Sequence, residues 1–239
     1  ITKEQKVLEI GSGCGPITGV LARKAKSVTC IDLSKMRSTI NAYRNRECDN
    51  VKIMVGNFQD VESSLTEKYD YITLIGVFEY SQGYIGTAQP YVEMLRRIAR
   101  HLAPGGRIVI AIENRLGLKY WAGCTEDHVG KYFEGLENYP DTRSVRTFSR
   151  KELSDIIDQA GEFKTTFYYP YPDYKFPYFI YSDKYLPRKG ELKDNNRNFD
   201  MPKIQLFDEA RVFDTLIDND LFPEFSNSFL VMVEKEEKR

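Results

Sequence analysis

The sequence predicts an α/β protein built on a doubly wound sheet of seven strands, mostly parallel, with an antiparallel last strand. Three observations lead to this prediction. Short apolar segments alternate with amphipathic segments of helical period from residue 6 to residue 113, glycines follow the first apolar segment, and an acid, Asp32, ends the second. In such sheets the ligand lies beyond the carboxyl ends of the strands, so the loops at these ends are the candidate site.

The individual elements follow from local patterns. Strands are predicted at residues 6–10, 27–32, 51–56, 69–77, 106–113, 162–169 and 228–235. Helices are predicted at residues 16–25, 34–48, 88–102 and from 150 onward. Pro16 stands in the first turn of the first helix, where its missing N–H does no harm, and Ser34 caps the second. Ser149 and Glu152 have the spacing of a capping box before the last helix.

Two long segments interrupt the alternation, residues 114–148 and 171–226. We predict that they are ordered, aromatic-rich insertions that cap the substrate site of a single domain, whose core comprises residues 1–113, 149–170 and 227–239. No amphipathic segment of helical length stands in the usual crossover position before the last strand, so the last two strands are expected to be antiparallel neighbours. Because the sequence opens without methionine, close to its first strand, we expect a domain excised from a longer polypeptide.

Composition narrows the classes of partner. The 239 residues are 41% hydrophobic and carry a formal net charge of −1, so there is no positive field to attract nucleic acid or an anionic membrane surface. The four cysteines form no CxxC pair and only two histidines accompany them, which argues against a zinc site or a disulfide framework. No apolar run reaches the ~18 residues of a membrane span. We therefore expect a cytoplasmic protein without a bound metal.

The stretch LEIGSGCGP, residues 8–16, resembles the first motif of the class I S-adenosylmethionine-dependent methyltransferases, which have a Rossmann-like fold with an acid on strand one followed by G-x-G-x-G. The acid that ends strand two and the segments LIGVFEY (74–80) and LAPGGRIVIAIEN (102–114) resemble three further motifs of this family, in the family's order. The resemblance implies S-adenosylmethionine as cofactor and S-adenosylhomocysteine as product.

The resemblance also implies roles for individual residues. Asp32 would accept hydrogen bonds from both ribose hydroxyls, and Asn57 stands where the family more often has an acid facing the adenine amino group. Phe58 would pack on the adenine face, with a plain core phenylalanine as the alternative. The implied cofactor-binding residues are Glu9, Gly11, Ser12, Gly13, Gly15, Asp32, Leu33, Asn57, Phe58 and Gly76.

A nicotinamide dinucleotide is the alternative ligand for a glycine-rich turn of this kind. Its pattern is G-x-G-x-x-G, and Pro16 occupies the position of the last glycine. Glu9 also argues against it, because a carboxylate repels a pyrophosphate but attracts the cationic amine of the methionine portion. We therefore predict that the loop holds the methionine end of S-adenosylmethionine.

Two aromatic-rich segments bear on the methyl acceptor. Residues 113–140 resemble a segment of bacterial methyltransferase domains associated with cell-surface polysaccharide assembly, and residues 167–181 interleave aromatic residues with three prolines. Aromatic rings with a few polar groups suit a sugar or a planar acceptor; the alternative is that the rings only pack the insertions onto the domain. The candidate acceptor-binding residues are Tyr120, Trp121, Asp127, Arg143 and Arg146. The cluster of Arg143, Arg146 and Arg150 suits a phosphate or a uronate, or is a solvated surface.

His128 is the candidate general base, oriented by Asp127 or Glu126, because a histidine titrates near neutrality and can accept a hydroxyl proton. Two alternatives remain open. EDHVG is compatible with a helix start in which His128 only packs, and a phosphate acceptor needs no base. Glu79, at the end of strand four, is the other candidate catalytic residue.

We expect transfer of a methyl group to an oxygen of a sugar, a glycan or a small metabolite. One alternative is a catalytically silent S-adenosylmethionine-binding domain that organises a larger polysaccharide-assembly protein, and another is a protein or RNA methyltransferase. Against base methylation, strand four ends in IGVFEY and not in an Asn/Asp-Pro-Pro-Tyr/Phe tetrad. The expected partners are a small-molecule or glycan acceptor and other domains of the same polypeptide, with no nucleic acid.

Overall fold

A computed structural model describes residues 1–193 and 203–235 of the chain. Its strands are β1 (Lys6–Ile10), β2 (Ser27–Asp32), β3 (Val51–Val55), β4 (Tyr69–Ile75), β5 (Leu102–Glu113), β6 (Phe163–Tyr171), β7 (Phe179–Ser182) and β8 (Ser228–Lys235). Its helices are α1 (Thr18–Lys24), α2 (Lys35–Arg44), α3 (Phe58–Val61), α4 (Ser81–Tyr84), α5 (Pro90–Ala99), α6 (Leu118–Trp121), α7 (Arg150–Ala160), α8 (Glu209–Asp218) and α9 (Phe222–Phe225). Two 3₁₀ turns, Glu62–Ser64 and Phe78–Tyr80, complete the regular structure of these residues.

The strands are hydrogen-bonded in the order β3-β2-β1-β4-β5-β8-β6-β7. β1 is parallel to β2 and β4, β2 is parallel to β3, and β7 is antiparallel to β6. The predicted Rossmann-like sheet, mostly parallel with antiparallel strands at its end, is confirmed.

The described sheet has eight strands where seven were predicted. The additional strand is β7, a four-residue edge strand inside the predicted insertion 171–226. Phe179 and Ile180 are 58% and 53% exposed, so the strand lacks the alternation of buried and exposed residues that identifies a strand in a sequence.

Cα proximity divides the described chain into two compact units. The first unit comprises residues 1–110, 157–165 and 232–235, and the second comprises residues 111–156, 166–193 and 203–231. β5, β6 and β8 each contribute residues to both units. The predicted arrangement of one domain with a substrate cap stays a prediction.

The central strands of the first unit are almost wholly buried. Val7, Leu8 and Val28 have no exposed surface, as expected for parallel strands covered on both faces. The register pairs Glu9 with Cys30 on β2 and with Thr73 on β4. This pairing places a carboxyl, a thiol and a hydroxyl group side by side near the carboxyl ends of three strands.

Two predicted helix starts are confirmed by their caps. Oγ of Ser34 accepts a hydrogen bond from the backbone N–H of Arg37 at 3.2 Å, at the start of α2. Ser149 and Glu152 form the predicted capping box: the Ser149 N–H donates to Glu152 Oε2 at 2.9 Å, and the Glu152 N–H donates to Ser149 Oγ at 3.3 Å. Each hydrogen bond of the capping box satisfies a backbone N–H group that the first helical turn leaves unpaired.

The segment before the last strand contains a helix, contrary to the prediction. α8 begins after Asp208, whose Oδ1 accepts hydrogen bonds from the backbone N–H groups of Ala210 and Arg211 at 3.0 and 3.4 Å. Phe213 is fully buried on the inner face of this helix. The sequence DEARVFDTLID carries this pattern, a capping acid followed by apolar residues at helical spacing, within a segment that was interpreted as irregular.

Candidate active site

The glycine-rich loop occupies residues 11–15, directly after β1. Gly11, Gly13 and Gly15 have φ angles of +75°, +54° and +73°, a region that other residues rarely adopt. A Cβ atom on Gly11 would in addition lie 2.2 Å from Cγ2 of Val77. The glycines at alternate positions are therefore required by the backbone of the turn, and at Gly11 also by the close approach of the chain after β4.

Asp32 ends β2 and holds the middle of this loop. Its Oδ2 accepts a hydrogen bond from the Gly13 N–H at 2.9 Å, and its Oδ1 accepts one from the Ser34 N–H at 2.8 Å. Nε of Arg37 lies 3.3 Å from Oδ1, and the Asp32 side chain is only 4% exposed. The loop and the carboxylate are thus fixed to each other by backbone hydrogen bonds.

Two cavities open beside the loop within the first unit. The larger has a volume of about 370 Å³, within the range of small-molecule sites. The smaller has a volume of about 280 Å³. The predicted cofactor residues that line the larger cavity are Gly11, Asp32, Leu33, Asn57, Phe58 and Gly76. Those that line the smaller cavity are Glu9, Gly11, Ser12 and Gly13.

Gly15 is the predicted cofactor residue that lines neither of these cavities. A Cβ atom at this position would lie 2.1 Å from Oδ1 of Asn41 in α2. This glycine therefore permits close packing between the loop and α2, a structural role that its sequence pattern does not distinguish from ligand contact.

Asn57 and Phe58 follow β3 on the wall of the larger cavity. Asn57 caps α3: its Oδ1 accepts a hydrogen bond from the Gln59 N–H, and its Nδ2 donates to the Tyr84 carbonyl, both at 3.3 Å. The buried Phe58 ring meets His101 edge-on, with centroids 6.3 Å apart. Asn57 thus fixes the wall of the cavity, and its carbonyl oxygen retains a second lone pair that a ligand can use.

Glu9 is buried beside the smaller cavity. Its Oε2 accepts hydrogen bonds from Oγ1 of Thr18 at 2.5 Å and from Sγ of Cys30 at 3.4 Å. Burial raises the pKa of the Glu9 carboxyl above its ordinary value, and these two hydrogen bonds offset part of the rise. A cationic ligand group beside Glu9 would stabilise the ionised carboxylate.

Glu79 lies in the 3₁₀ turn after β4 and is 1% exposed. Its backbone carbonyl accepts a hydrogen bond from the Tyr91 hydroxyl at 3.1 Å. This bond attaches the turn to α5 and does not involve the carboxyl group. A catalytic role for Glu79 stays a prediction.

In the second unit, Glu126 holds His128. Oε1 of Glu126 lies 2.8 Å from Nδ1 of His128, and Oε2 accepts the backbone N–H groups of His128 and Val129 at 2.7 and 2.8 Å. The pairing favours the tautomer with hydrogen on Nδ1, in which Nε2 carries the lone pair. Nε2 lies 3.8 Å from Oε2 of Glu113, and all three side chains are buried.

The charge of Glu126 is stabilised by these contacts. Burial alone would raise the pKa of this carboxyl, but the hydrogen bonds from His128 and from the backbone of Val129 lower it below its ordinary value. The Tyr139 hydroxyl donates a further hydrogen bond to Glu126 Oε1 at 3.1 Å. Of the two acids predicted to orient His128, the structure therefore selects Glu126.

Asp127 belongs to a neighbouring buried ionic cluster. Nζ of Lys119 lies 2.7 Å from Oδ2 of Asp127 and 2.9 Å from Oδ2 of Asp173, and the Tyr120 hydroxyl donates to Asp127 at 2.5 Å. Burial by itself lowers the pKa of Lys119, but the carboxylates of Asp173, Asp127 and Glu113 raise it above its ordinary value. Lys119 is therefore a buried cation held by carboxylates.

This cluster changes the interpretation of two predicted acceptor contacts. Tyr120 is 3% exposed, and its hydroxyl is bound to Asp127 within the same unit, so both residues stabilise the second unit. Lys119 and Asp173 were missed by the sequence analysis. They are 54 residues apart, and neither stands in a motif that marks it.

The remaining candidates for acceptor binding lie nearer the surface. Trp121 is 45% exposed, and its Nε1 donates to the Leu116 carbonyl at 3.2 Å. Arg146 pairs with Glu152 at 3.4 Å, and Arg150 pairs with Asp183 at 3.2 Å, so these two guanidinium groups are each paired with a carboxylate. Arg143 is exposed.

A family comparison adds to this geometry. Residues 1–162 match the model of a family described as a methyltransferase domain. The chain belongs to this family. The predicted class, an S-adenosylmethionine-dependent methyltransferase, is thereby confirmed.

Individual relatives of this methyltransferase domain are distant. An uncharacterized methyltransferase of Staphylococcus carnosus is 26% identical over 164 residues, which are 67% of this chain and 71% of the relative. A solved complex of the Haloferax volcanii Trm112 methyltransferase activator with a methyltransferase matches with a TM-score of 0.58 and 18% identity, over 99% of this chain and 85% of the other. An S-adenosylmethionine-dependent methyltransferase from Methanosarcina mazei matches with a TM-score of 0.56 and 14% identity, over 100% and 95%. Because their sequence identities are low, the two solved structures support only the fold of the methyltransferase domain.

One further property concerns membranes. Among the helices of residues 1–193 and 203–235, none combines the length and the apolar character that a transmembrane helix requires.

Proposed function

We propose that this methyltransferase domain binds S-adenosylmethionine in the two cavities of its first unit and methylates an oxygen acceptor, a hydroxyl of a sugar, a glycan or a small metabolite. His128 is the proposed general base. The buried pairing of His128 with Glu126 is the observation that supports this acceptor, because a general base assists an acceptor that must lose a proton, as a hydroxyl must.

The cofactor assignment is supported by the fit of the cavities to a nucleoside joined to an amino acid. In the larger cavity, Asp32 would accept the ribose hydroxyls, while Asn57 and Phe58 would contact the adenine. In the smaller cavity, Glu9 and Ser12 would receive the amine. When bound, the cofactor supplies a methyl group already activated by its positive sulfur, so the protein need only align the reactants and remove a proton.

The proton step follows from the Glu126–His128 pair. Nε2 of His128 accepts the proton of the acceptor hydroxyl, and the Glu126 carboxylate stabilises the imidazolium that forms. General base catalysis of this kind contributes about 100- to 10,000-fold to a rate. Trp121 supplies an exposed aromatic ring suited to a sugar face, and the resemblance of residues 113–140 to polysaccharide-associated domains supports a glycan among the possible acceptors.

The test offers methyl-labelled S-adenosylmethionine to the protein together with separate pools of nucleotide sugars, lipid-linked glycans, hydroxylated metabolites, amines, proteins and RNA. We expect label in a pool of hydroxyl acceptors. His128→Gln should lower the transfer rate at least ~100-fold and leave the affinity for S-adenosylhomocysteine unchanged. Glu137→Gln, an exposed change in the same unit, is the matched control and should retain the rate.

Other outcomes contradict separate parts of the proposal. Label confined to amines rejects the oxygen acceptor, and label confined to protein or RNA rejects a sugar, glycan or small-metabolite acceptor. Cofactor binding with no label in any pool supports the silent cofactor-binding domain. Near-normal turnover by the His128→Gln variant rejects His128 as base and favours Glu79 or an acceptor that is already ionised.

A further inference from the structure

Arg37 lies on the rim that the two cavities share. It lines both of them, together with Ile10 and Gly11. Its side chain is 51% exposed, and its Nε lies 3.3 Å from Oδ1 of Asp32. A guanidinium group in this position can reach either cavity by rotation of its flexible side chain.

The hydrogen-bonding capacity of Asp32 limits what can bind beside Arg37. A carboxylate offers about four lone-pair sites. Two are already used, one on each oxygen, by the N–H groups of Gly13 and Ser34. The Arg37 guanidinium forms an ion pair with Oδ1, from which its Nε lies 3.3 Å away. A ribose diol that donates to both oxygens of Asp32 therefore competes with the Arg37 guanidinium for Oδ1. The two backbone N–H groups are fixed by the loop and by the start of α2, so Arg37 is the partner of Asp32 that can move.

The smaller cavity contains polar groups that call for a polar ligand. The Ser12 and Thr73 residues are 4% and 7% exposed, and their hydroxyl oxygens have no hydrogen-bond partner among the described residues. Such buried hydroxyls are uncommon unless a water or a ligand satisfies them. Both line this cavity, together with Glu9 at one side and the side chains of Arg37 and Arg44 at another. Hydroxyl and carboxylate groups beside two guanidinium groups suit an α-amino acid, with its ammonium and its carboxylate.

We propose that Arg37 is a positioning residue that changes partners when the cofactor binds. Its guanidinium leaves Asp32 to the ribose and pairs with the carboxylate of the cofactor's amino acid portion. This inference rests on the proposed function, because it assumes that the cofactor occupies these two cavities. This change of partner makes binding in one cavity dependent on binding in the other. A nucleoside alone must displace Arg37 from Asp32, whereas the complete cofactor also gives Arg37 a new partner.

Calorimetric titration with two ligands separates this role from a structural one. S-adenosylhomocysteine carries the amino acid portion, and 5′-methylthioadenosine is a similar nucleoside without it. We expect Arg37→Met to weaken S-adenosylhomocysteine binding about tenfold, the size of a lost charge-assisted pair at a half-exposed site. The same variant should bind 5′-methylthioadenosine as tightly as the wild type, or more tightly. Arg37→Lys should restore part of the affinity for S-adenosylhomocysteine.

Arg46→Met is the matched control, because Arg46 is 70% exposed, pairs with Glu47, and lines neither cavity. It should leave both affinities unchanged. Equal affinities of the wild type and the Arg37→Met variant for both ligands would overturn the inference, and so would an equal weakening of both. If the wild-type protein bound neither ligand, the proposed function itself would fail, and this inference with it.

Discussion

Nζ of Lys119 lies 2.9 Å from Oδ2 of Asp173, although the two residues are 54 positions apart in the chain. The same Nζ lies 2.7 Å from Asp127, and the Lys119 side chain is only 8% exposed. One buried ammonium group therefore joins the turn after α6 to the loop after β6. Such a cluster is stable only while its charges balance, because an unpaired charge in a buried position is costly.

The first prediction removes the cation of this cluster. Lys119→Met should destabilise the protein by about 3–5 kcal/mol, because it removes the ammonium group that pairs with the buried carboxylate of Asp127 and the partly buried carboxylate of Asp173. Lys151→Met is the matched control: Lys151 is 80% exposed and pairs with Asp155 on the surface of α7, so its loss should leave the urea midpoint nearly unchanged. Urea unfolding measures both. Equal effects of the two substitutions would show that the cluster does not contribute to stability.

The second prediction concerns stability in acid. The folded protein lowers the pKa of Glu126 below the ordinary value of 4.5, so this carboxylate contributes stability above pH 4.5 that is lost as the pH falls through the folded pKa. Wild-type protein should therefore lose stability more steeply than the Glu126→Gln variant as the pH is lowered from about 5. Glu137→Gln, an exposed change in the same segment, should follow the wild type. Parallel curves for wild type and Glu126→Gln, from urea unfolding at several pH values, would contradict the stabilised charge.

The third prediction concerns Glu9, whose effect on the pH dependence of stability has the opposite sign to that of Glu126. Burial raises the folded pKa of Glu9 above its unfolded value of 4.5, so the stability linked to its proton is fully present below pH 4.5 and is lost as the pH rises through the folded pKa. At pH 7 the ligand-free Glu9→Gln variant should therefore be more stable than the wild type. The same variant should bind S-adenosylhomocysteine more weakly, because it removes the negative charge beside the amine. Thermal unfolding with and without ligand measures both effects; a less stable variant would show that the Thr18 and Cys30 hydrogen bonds outweigh the cost of burial.

The fourth prediction concerns the ribose. Asp32→Ala should weaken S-adenosylhomocysteine binding by about 10- to 100-fold, because two charge-assisted hydrogen bonds would be lost. Asp60→Ala in α3 is the control, since this exposed acid lies outside both cavities. Calorimetry measures the affinities, and circular dichroism checks that both variants are folded. Unchanged affinity in Asp32→Ala would show that this carboxylate does not hold the ribose.

The features that could be predicted from the sequence are those with local causes. The three positive φ angles of the glycine loop and the capping box of Ser149 with Glu152 each depend on residues within a few positions of one another. The strands β1 to β5 follow from apolar runs of the right length. Asp32 could be proposed as a ligand residue because it ends a strand at a set distance from the loop. Local chemistry is sufficient for features of this kind.

The tertiary structure decided which polar groups meet. Asp127 is adjacent to His128 in sequence and Glu126 is two positions away, but the turn directs Glu126 to the imidazole and Asp127 to Lys119. The strand β7 owes its existence to the edge of β6, with which it pairs, and to no pattern of its own. The sequence by itself determined the Rossmann-like core and the glycine-rich loop, because backbone conformation and apolar periodicity are encoded over short stretches. The methyltransferase class followed from the resemblance of its motifs to a known family. The carboxylate partners of Lys119, and the different contacts of Glu126 and Asp127, were decided only by folding. Coulomb attraction and burial depend on distances in space, and the sequence does not specify these distances.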